Sequence, residues 1–307
     1  MPWILIALLA QTLWALGNLF DKFLLSKFSS EDNQVTTGVL LLFSGVAGFI
    51  LVPLIIAFNP AVLGVSLYTS GALVINGGLV MLWLALYLYA LEADDASTVV
   101  PLFQFIPVFG YILGVIFLQE ILSLEKIIAG LVVVSGALLL TTDIRGGVRH
   151  FAKKTFFLML GAAFVESSTN VLFKDMAIST DYWTSITWIY VGMCIVASGI
   201  FILHDSVREE FISVLRKNAR QIISLNGFNE VIDASGNLLF LFAITLAPVA
   251  LVQSSTALQP VIVLIGSLVA TYFFPNHFNE KNTYKHLLRK SLAIVIIIVG
   301  STYLYIF

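Results

Sequence analysis

Four polar residues at helical spacing lie within a long apolar stretch of the chain: Asn226, Glu230, Asp233 and Asn237. At about 100° per residue, they fall on one face of an α-helix. A carboxylate at the centre of a membrane helix costs about 2.5–3.5 kcal/mol on insertion scales, so this face must meet a polar interior. Two carboxylates one turn apart in a low-dielectric site do not both ionise easily, which suits proton uptake and release or attraction of a cation. A structural hydrogen-bond network is the alternative interpretation.

A further acidic position, Glu166, lies at the centre of another apolar segment, and Asn170 follows one turn later. An ionisable residue at this depth is a functional-site hypothesis by default, with a structural hydrogen bond as the alternative. Lys174 continues the same face but lies near the helix end, where its side chain can reach the interface. Three charged residues near other helix ends are expected at the membrane interface: Asp21, Lys22 and Asp175.

Amide and aromatic side chains in other apolar segments could complete a binding cavity: Trp14, Asn18, Asn76, Gln104 and Gln259. An aromatic wall opposite an acid would suit an amine or an aromatic substrate. Prolines close to the two glutamines would free backbone carbonyls and allow the helices to bend. Ordinary packing with static kinks explains the same residues, and both interpretations stay open.

Several kinds of chemistry have no support in the sequence. The four histidines lie in or next to predicted loops, and no metal-ligand spacing, nucleophile elbow or phosphate-binding loop is found. We therefore predict no catalytic residue, no metal and no cofactor. The net charge of −2 gives no basic footprint for nucleic acid. No arginine lies within a predicted span, which argues against phosphorylated substrates.

The composition identifies the elements that must position these residues. The chain has 307 residues, of which 59% are hydrophobic and 11% charged, against about 25% charged in soluble domains. Apolar runs of membrane-spanning length recur throughout, and such spans must be helical because a backbone in lipid satisfies its own hydrogen bonds. We predict an all-α membrane protein with ten helices at 2–20, 35–57, 70–91, 95–118, 124–141, 155–178, 184–203, 221–246, 249–274 and 289–307.

Basic residues sort by side of the membrane. All of the sixteen lysines and arginines except Lys126 and Lys174 follow odd-numbered predicted helices. The positive-inside rule places those connections in the cytoplasm and both termini outside.

The chain also contains two similar halves. The pattern W-x-x-x-N-x-x-x-K from Trp14 to Lys22 is answered by E-x-x-x-N-x-x-x-K from Glu166 to Lys174, a shift of 152 residues. Gln104 lies three residues before Pro107, Gln259 lies next to Pro260, and Asn76 corresponds to Asn229. Five helices per copy is an odd number, so the second copy must be inverted in the membrane, as in many transporters. We assign residues 1–150 to the first repeat and 151–307 to the second.

These segments resemble the drug/metabolite transporter superfamily in its EamA-type branch. The resemblance rests on WALGNLFDKFLL, on ASTVVPLFQFIPVFGYILGVIFLQE followed by GLVVVSGALLL, on FVESSTNVLFKDMA, and on APVALVQSSTALQPVIVLIGSLVATYFF. Glu120 fits the family pattern, whereas Glu280 is displaced by a longer connection. The resemblance implies alternating access with a site between two repeats. It also implies cytoplasmic termini, against the charge bias.

The sequence favours a secondary transporter in the cell membrane, in the plasma or inner membrane, that moves a small neutral, amphipathic or cationic metabolite. Amino acids and drug-like compounds are included, and proton coupling through Glu166, Glu230 or Asp233 is the preferred mechanism. The expected partners are a small-molecule substrate, protons and the lipid bilayer. The alternatives are a non-transporting sensor or assembly subunit and an intramembrane enzyme with paired carboxylates. Substrate identity, direction and oligomeric state stay open.

Overall fold

The computed structural model describes residues 2–27, 36–94, 96–119, 123–145, 148–151, 153–273 and 284–306. Glu120, Glu280 and most of the connection before the last helix lie outside these ranges. The helices are α1 (Pro2–Lys27), α2 (Thr37–Phe58), α3 (Leu67–Ala93), α4 (Ala96–Val99), α5 (Phe105–Leu118), α6 (Leu124–Thr141), α7 (Lys153–Ser179), α8 (Tyr182–Leu203), α9 (Asp205–Leu246), α10 (Val249–Gln253), α11 (Gln259–Phe273) and α12 (Tyr284–Ile306).

Six of the described helical segments are long and apolar enough to cross a bilayer: Trp3–Leu24, Thr37–Phe58, Leu67–Ala93, Lys153–Ser179, Tyr182–Leu203 and Ile223–Leu246. Three shorter apolar stretches, Leu102–Leu118, Ile262–Phe273 and Ser291–Gly300, fall within other predicted spans. The predicted helical, membrane-spanning class is therefore confirmed. The arrangement of ten helices in two inverted repeats stays a prediction.

Two of the predicted spans are interrupted. A 3-10 segment, Val100–Gln104, separates α4 from α5, and a second, Ser254–Leu258, separates α10 from α11. Pro107 and Pro260 follow the two interruptions in the first turn of α5 and α11. A proline is tolerated there because the first backbone N–H groups of a helix have no intrahelical acceptor. The starts of the two 3-10 segments are 154 residues apart along the chain.

The predicted loop between residues 204 and 220 is helical. Helix α9 begins at Asp205, directly after α8 ends, and continues without interruption to Leu246. Its first turns place Val207, Phe211 and Leu215 at helical spacing against the core, and Val214 is 1% exposed. The Phe211 ring lies 5.0 Å from that of Phe43 in α2. The many charges of this segment favour a loop, but the exposed Asp205, Glu209 and Arg216 are interleaved with these apolar residues, as in an amphipathic helix.

The connection between α6 and α7 also differs from the all-α prediction. Residues Thr142–Arg145 (β1) and Val148–Phe151 (β2) pair as an antiparallel hairpin, with Thr142 opposite Phe151 and Arg145 opposite Val148. An isolated two-stranded hairpin is marginally stable by itself. It acts here as a short connection between helices.

The helices that surround the centre of the molecule pack in related pairs. Helix α1 packs along α9, and α3 packs along α7. In the predicted repeats, α7 corresponds to α1 and α9 to α3. Where α3 crosses α8, Gly77 and Gly192 bring the two backbones together, because a Cβ on either glycine would overlap the opposite helix. Small residues allow this close approach in membrane proteins, where helices associate mainly through packing.

Two lysines cap the ends of membrane-spanning helices. Lys22 donates to the carbonyl oxygens of Leu91 and Asp94 at 3.2 and 3.0 Å, at the end of α3. Lys174 donates to the carbonyl oxygen of Ala247 at 3.0 Å, at the end of α9. A cation is stabilised there by the unpaired carbonyls of the last helical turn. Lys22 thus caps the end of a helix.

Candidate functional site

One cavity lies between the central helices and has about 1150 Å³ of atom-free space, including its opening. Ligand pockets for small molecules commonly have about 300–1000 Å³. Helices α1, α2, α3, α7, α8 and α9 supply most of its lining, and the two interruptions and the first turns of α5 and α11 supply the rest. The structure brings together at its wall the predicted residues Trp14, Asn18, Asn76, Glu166, Asn170, Glu230, Asp233, Asn237 and Gln259.

Two predicted site residues do not line this cavity. Gln104 is fully buried, and its Oε1 accepts a hydrogen bond from Thr256 at 3.5 Å. Thr256 itself lines the cavity, so Gln104 lies directly behind the wall. Asn226 is 1% exposed, and neither of its amide atoms has a partner among the described residues. Asn226 precedes Glu230 by one helical turn on α9, but the cavity does not extend along the helix as far as Asn226.

Asp21 is the acidic residue that the sequence interpretation misplaced. It is 9% exposed and lines the cavity, so its carboxylate belongs to the interior of the protein. Its Oδ1 accepts a hydrogen bond from Asn229 Nδ2 at 2.8 Å. The same nitrogen donates to Asp233 Oδ2 at 3.2 Å, so one amide connects the two carboxylates. The hydroxyl of Tyr87 lies 3.2 Å from the other oxygen of Asp21.

The sequence contained a signal for Asp21. Trp14, Asn18 and Asp21 step by four and three residues, the same spacing as the first steps of the acidic face in α9. The sequence predicts a helix that ends at residue 20, whereas α1 continues to Lys27 and includes Asp21. Nothing in the sequence distinguishes Ser44, Tyr87 or Tyr190, which also line the cavity.

Glu230 completes the acidic side of the cavity. Its Oε1 accepts a hydrogen bond from the Ser44 hydroxyl of α2 at 2.8 Å. The carboxylates of Asp21, Glu230 and Asp233 lie close enough to repel one another. Trp14 borders this side, with its indole Nε1 3.3 Å from the backbone carbonyl oxygen of Asp233.

Glu166 lies on α7 in a different polar environment. Its Oε1 accepts from Asn170 Nδ2 at 3.1 Å, and its Oε2 lies 3.5 Å from the Thr169 hydroxyl. Both partners belong to the same helix, so the carboxylate is held in place without a cation. Asn76 of α3 donates to the backbone carbonyl of Thr169 at 3.1 Å, which brings that amide beside the same turn.

Several buried amide atoms at the wall are available to a ligand. Asn18 Nδ2, Asn76 Oδ1 and Gln259 Oε1 have no hydrogen-bond partner among the residues that the structure describes, although their side chains are at most 7% exposed. A buried polar atom without a partner costs about 1–3 kcal/mol. Water or a bound molecule in the cavity would remove that cost.

The rest of the lining is strongly aromatic: Trp14, Trp83, Tyr87, Phe103, Phe173, Tyr190 and Phe240. Trp14 and Phe240 are in ring contact, with centroids 4.8 Å apart. Aromatic faces attract cations and also bind flat apolar groups. The wall therefore presents four carboxylates, unpaired amides and aromatic faces, and none of the lysines or arginines in the described ranges lines it.

An acidic cavity among membrane-spanning helices is consistent with the family that the sequence matches. Residues 1–142 match the model of the EamA-like transporter family. This part of the chain is therefore similar to EamA-like transporters. The predicted resemblance to the drug/metabolite transporter superfamily is therefore confirmed. EamA-like proteins are membrane transporters of small molecules, and the apolar helices of this chain agree with a multi-pass membrane protein.

The fold extends the comparison beyond the first half. The chain is similar to a protein of known crystal structure with a TM-score of 0.57 and 16% identity, over 98% of this chain and 94% of the other. At this identity the likeness concerns the fold alone. No curated protein matches the chain by sequence.

Proposed function

We propose that this EamA-like protein is a secondary transporter that moves an amphipathic, amine-bearing small molecule across the cell membrane in exchange for protons. One observation carries the proposal. Four carboxylates, those of Asp21, Glu166, Glu230 and Asp233, line one cavity whose lining includes none of the lysines or arginines in the described ranges.

The physical argument concerns uncompensated charge. A buried carboxylate without a cation is strongly unfavourable, so such a group takes up a proton or binds a positive ligand. A bound proton and a bound cationic substrate neutralise the same cavity, so the binding of one disfavours the binding of the other. This competition couples their movement when the cavity opens in turn to the two sides of the membrane. The aromatic faces and the unpaired amides suit the apolar part and the N–H groups of an amine.

Alternating access between residues 1–150 and 151–307 has support in matching contacts. The Lys22–Asp94 and Lys174–Ala247 hydrogen bonds involve residues shifted by 152 and 153 positions. The two 3-10 interruptions are shifted by nearly the same number. Inverted repeats of this kind rock around a shared central site in other transporters.

The test is transport by purified protein in proteoliposomes. A thermal-shift screen of amines, amino acids and purines selects the compounds, with phosphorylated compounds as the contrasting class. Uptake of each selected compound is then measured with and without an imposed pH gradient. We expect Glu166→Gln, Glu230→Gln and Asp233→Asn each to reduce gradient-driven uptake, while Glu209→Gln, at an exposed acid of α9, leaves it unchanged.

The possible results separate the competing functions. Full gradient-driven uptake by all three variants would show that these acids do not couple protons. Ligand-dependent stabilisation without any flux would favour a sensor. A stabilising phosphorylated compound would contradict the proposed substrate class.

A further inference from the structure

The cavity contains two acidic sites of different construction. Asp21 and Asp233 face each other across α1 and α9 and share a single amide donor, Asn229. Glu166 stands on α7 with its hydrogen-bond partners on its own helix. We propose that the Asp21–Asn229–Asp233 group is the proton site of the transporter, and that Glu166 binds the amine of the substrate. This division rests on the proposed function and adds two residues, Asp21 and Asn229, to it.

Asn229 holds the two carboxylates together. Its side chain is 2% exposed, and its two N–H groups can point to Asp21 Oδ1 at 2.8 Å and Asp233 Oδ2 at 3.2 Å. Two carboxylates on the same nitrogen repel each other in a low-dielectric site. One proton removes that repulsion, so the pair binds a proton as a unit.

The amide oxygen of Asn229 also favours protonation of the pair. Asn229 Oδ1 is a buried acceptor with no donor among the described residues. Ionised carboxylates have no hydrogen to offer it, whereas a protonated carboxylic acid is a donor. Protonation of either carboxylate therefore supplies a hydrogen-bond donor within the Asp21–Asn229–Asp233 group.

A metal cation fits the same site poorly. Asn229 directs an N–H group at Asp21 Oδ1, and a metal ion at that oxygen would meet its hydrogen. The Tyr87 hydroxyl lies between Asn18 Oδ1 at 2.9 Å and Asp21 Oδ2 at 3.2 Å. Within the described ranges, no group of three acidic, histidine or cysteine side chains is arranged to hold a metal ion. The site combines hydrogen-bond donors with carboxylates, which suits a hydrogen-bonded proton better than a metal ion.

Other titratable groups face the Asp21–Asp233 pair. Glu230 on α9, Tyr87 on α3 and Tyr190 on α8 face it. Lys22 follows Asp21 on α1, but its Nζ donates to carbonyl oxygens of Leu91 and Asp94. The groups facing the pair are thus acids and phenols, which carry no positive charge.

The Glu166 site has acceptors suited to an ammonium group. The carboxylate of Glu166 and the unpaired Oδ1 of Asn76 accept hydrogen bonds, and the Asn76 amide is fixed by its bond to the Thr169 carbonyl. An ammonium group has several N–H donors and no acceptor. The positive charge of the ammonium group would neutralise Glu166, and none of the described lysines or arginines lines the cavity to compete with it.

The first experiment reads the proton site without a substrate. The carboxyl C=O stretch of purified protein is followed by infrared difference spectroscopy as the pH is lowered, in wild type and in Asp21→Asn, Asp233→Asn and Glu166→Gln. We expect the band that Asp233→Asn removes to shift in Asp21→Asn and to stay unchanged in Glu166→Gln. An unshifted band in Asp21→Asn would overturn the shared site, as would a band that changes when sodium replaces choline in the buffer.

The second experiment uses phenethylamine, an aromatic primary amine, as the probe. We expect Glu166→Gln to bind it about tenfold more weakly or worse, the effect of losing one charge-assisted hydrogen bond. Asp21→Asn and Asp233→Asn, which mimic the protonated pair, should bind it as wild type does at low pH and lose the dependence on pH. Retained pH dependence in both variants would contradict the division. If Asp21→Asn does not fold, Tyr87→Phe removes the hydroxyl that lies 3.2 Å from Asp21 Oδ2 and should shift the same infrared band.

The two proposals fail in distinguishable ways. Absence of pH-gradient-driven uptake by wild-type protein would contradict the transport mechanism, while the infrared bands would still report whether the aspartates share a proton. Independent bands with normal coupled uptake would contradict only the division between the two acidic sites.

Discussion

Gly17 of α1 lies directly against the carboxylate of Asp233, and a Cβ at this glycine would overlap the Asp233 side chain. The absence of a side chain at residue 17 therefore allows α9 to bring its acid up to α1. The contact places Asp233 within reach of the same amide that binds Asp21.

We expect Gly17→Ala to displace the Asp233 side chain and to lower pH-gradient-driven uptake, because the bridge through Asn229 requires both carboxylates in place. The matched control is Gly227→Ala in α9, where an added Cβ meets nothing within 4 Å. That control should keep transport and gain up to about 1 kcal/mol of helix stability. Equal uptake by Gly17→Ala and wild type would show that this contact is not required.

The crossing of α3 and α8 gives a prediction about stability. Alanine at Gly77 or Gly192 would place a methyl group against the backbone of the opposite helix. Overpacking of this kind costs about 1–3 kcal/mol, so both variants should unfold at lower temperature in detergent. Gly199→Ala, in an open position on α8, should not. A wild-type melting temperature for both crossing variants would contradict the close backbone approach.

The helix-capping lysines give a prediction about the two halves. Replacement of Lys22 or Lys174 by Met removes a charge-assisted hydrogen bond to carbonyl oxygens, a loss of about 1.5–3 kcal/mol. We expect similar decreases in thermal stability for both variants, because their contacts correspond. Arg208→Met removes an exposed pair with Asp205 and should cost less than about 1 kcal/mol. Markedly unequal effects at the two lysines would argue against equivalent roles.

The membrane orientation can be measured with the help of the single cysteine, Cys194. In a Cys194→Ala background, new cysteines at the exposed residues Ser66 and Ser206 report the two sides. The charge bias predicts that an impermeant thiol reagent outside the cell labels the first and not the second. The reverse pattern would place the termini in the cytoplasm, as the family resemblance implies.

The sequence draws attention to the acidic face of α9 because lipid makes the energetic cost of a carboxylate large. Glu230, Asp233 and Asn237 all line the cavity, and Glu166 lines it from another helix. A periodic pattern gives the face of a helix but not the depth at which a cavity ends, and Asn226 lies beyond it. The pairing of Asp21 with Asp233 was beyond prediction, since it depends on which helices become neighbours.

Charge density misled the interpretation of residues 204–220. The segment has basic and acidic residues that are typical of a loop, yet Val207, Phe211 and Leu215 recur at helical spacing and pack on the core. Tertiary packing stabilises an amphipathic helix more than its local composition suggests. The interruptions in the fourth and ninth predicted spans were easier to foresee, because proline restricts the backbone locally.

The capping roles of Lys22 and Lys174 also constrain the return step of the proposed cycle. Both ammonium groups are engaged by carbonyl oxygens at helix ends, so neither is available to neutralise the cavity after the substrate has left. The unloaded carrier must then take its neutralising charge from the solution. Protons from the surrounding water are the smallest such charges, and an unloaded carrier that retains them reorients without carrying net current across the membrane.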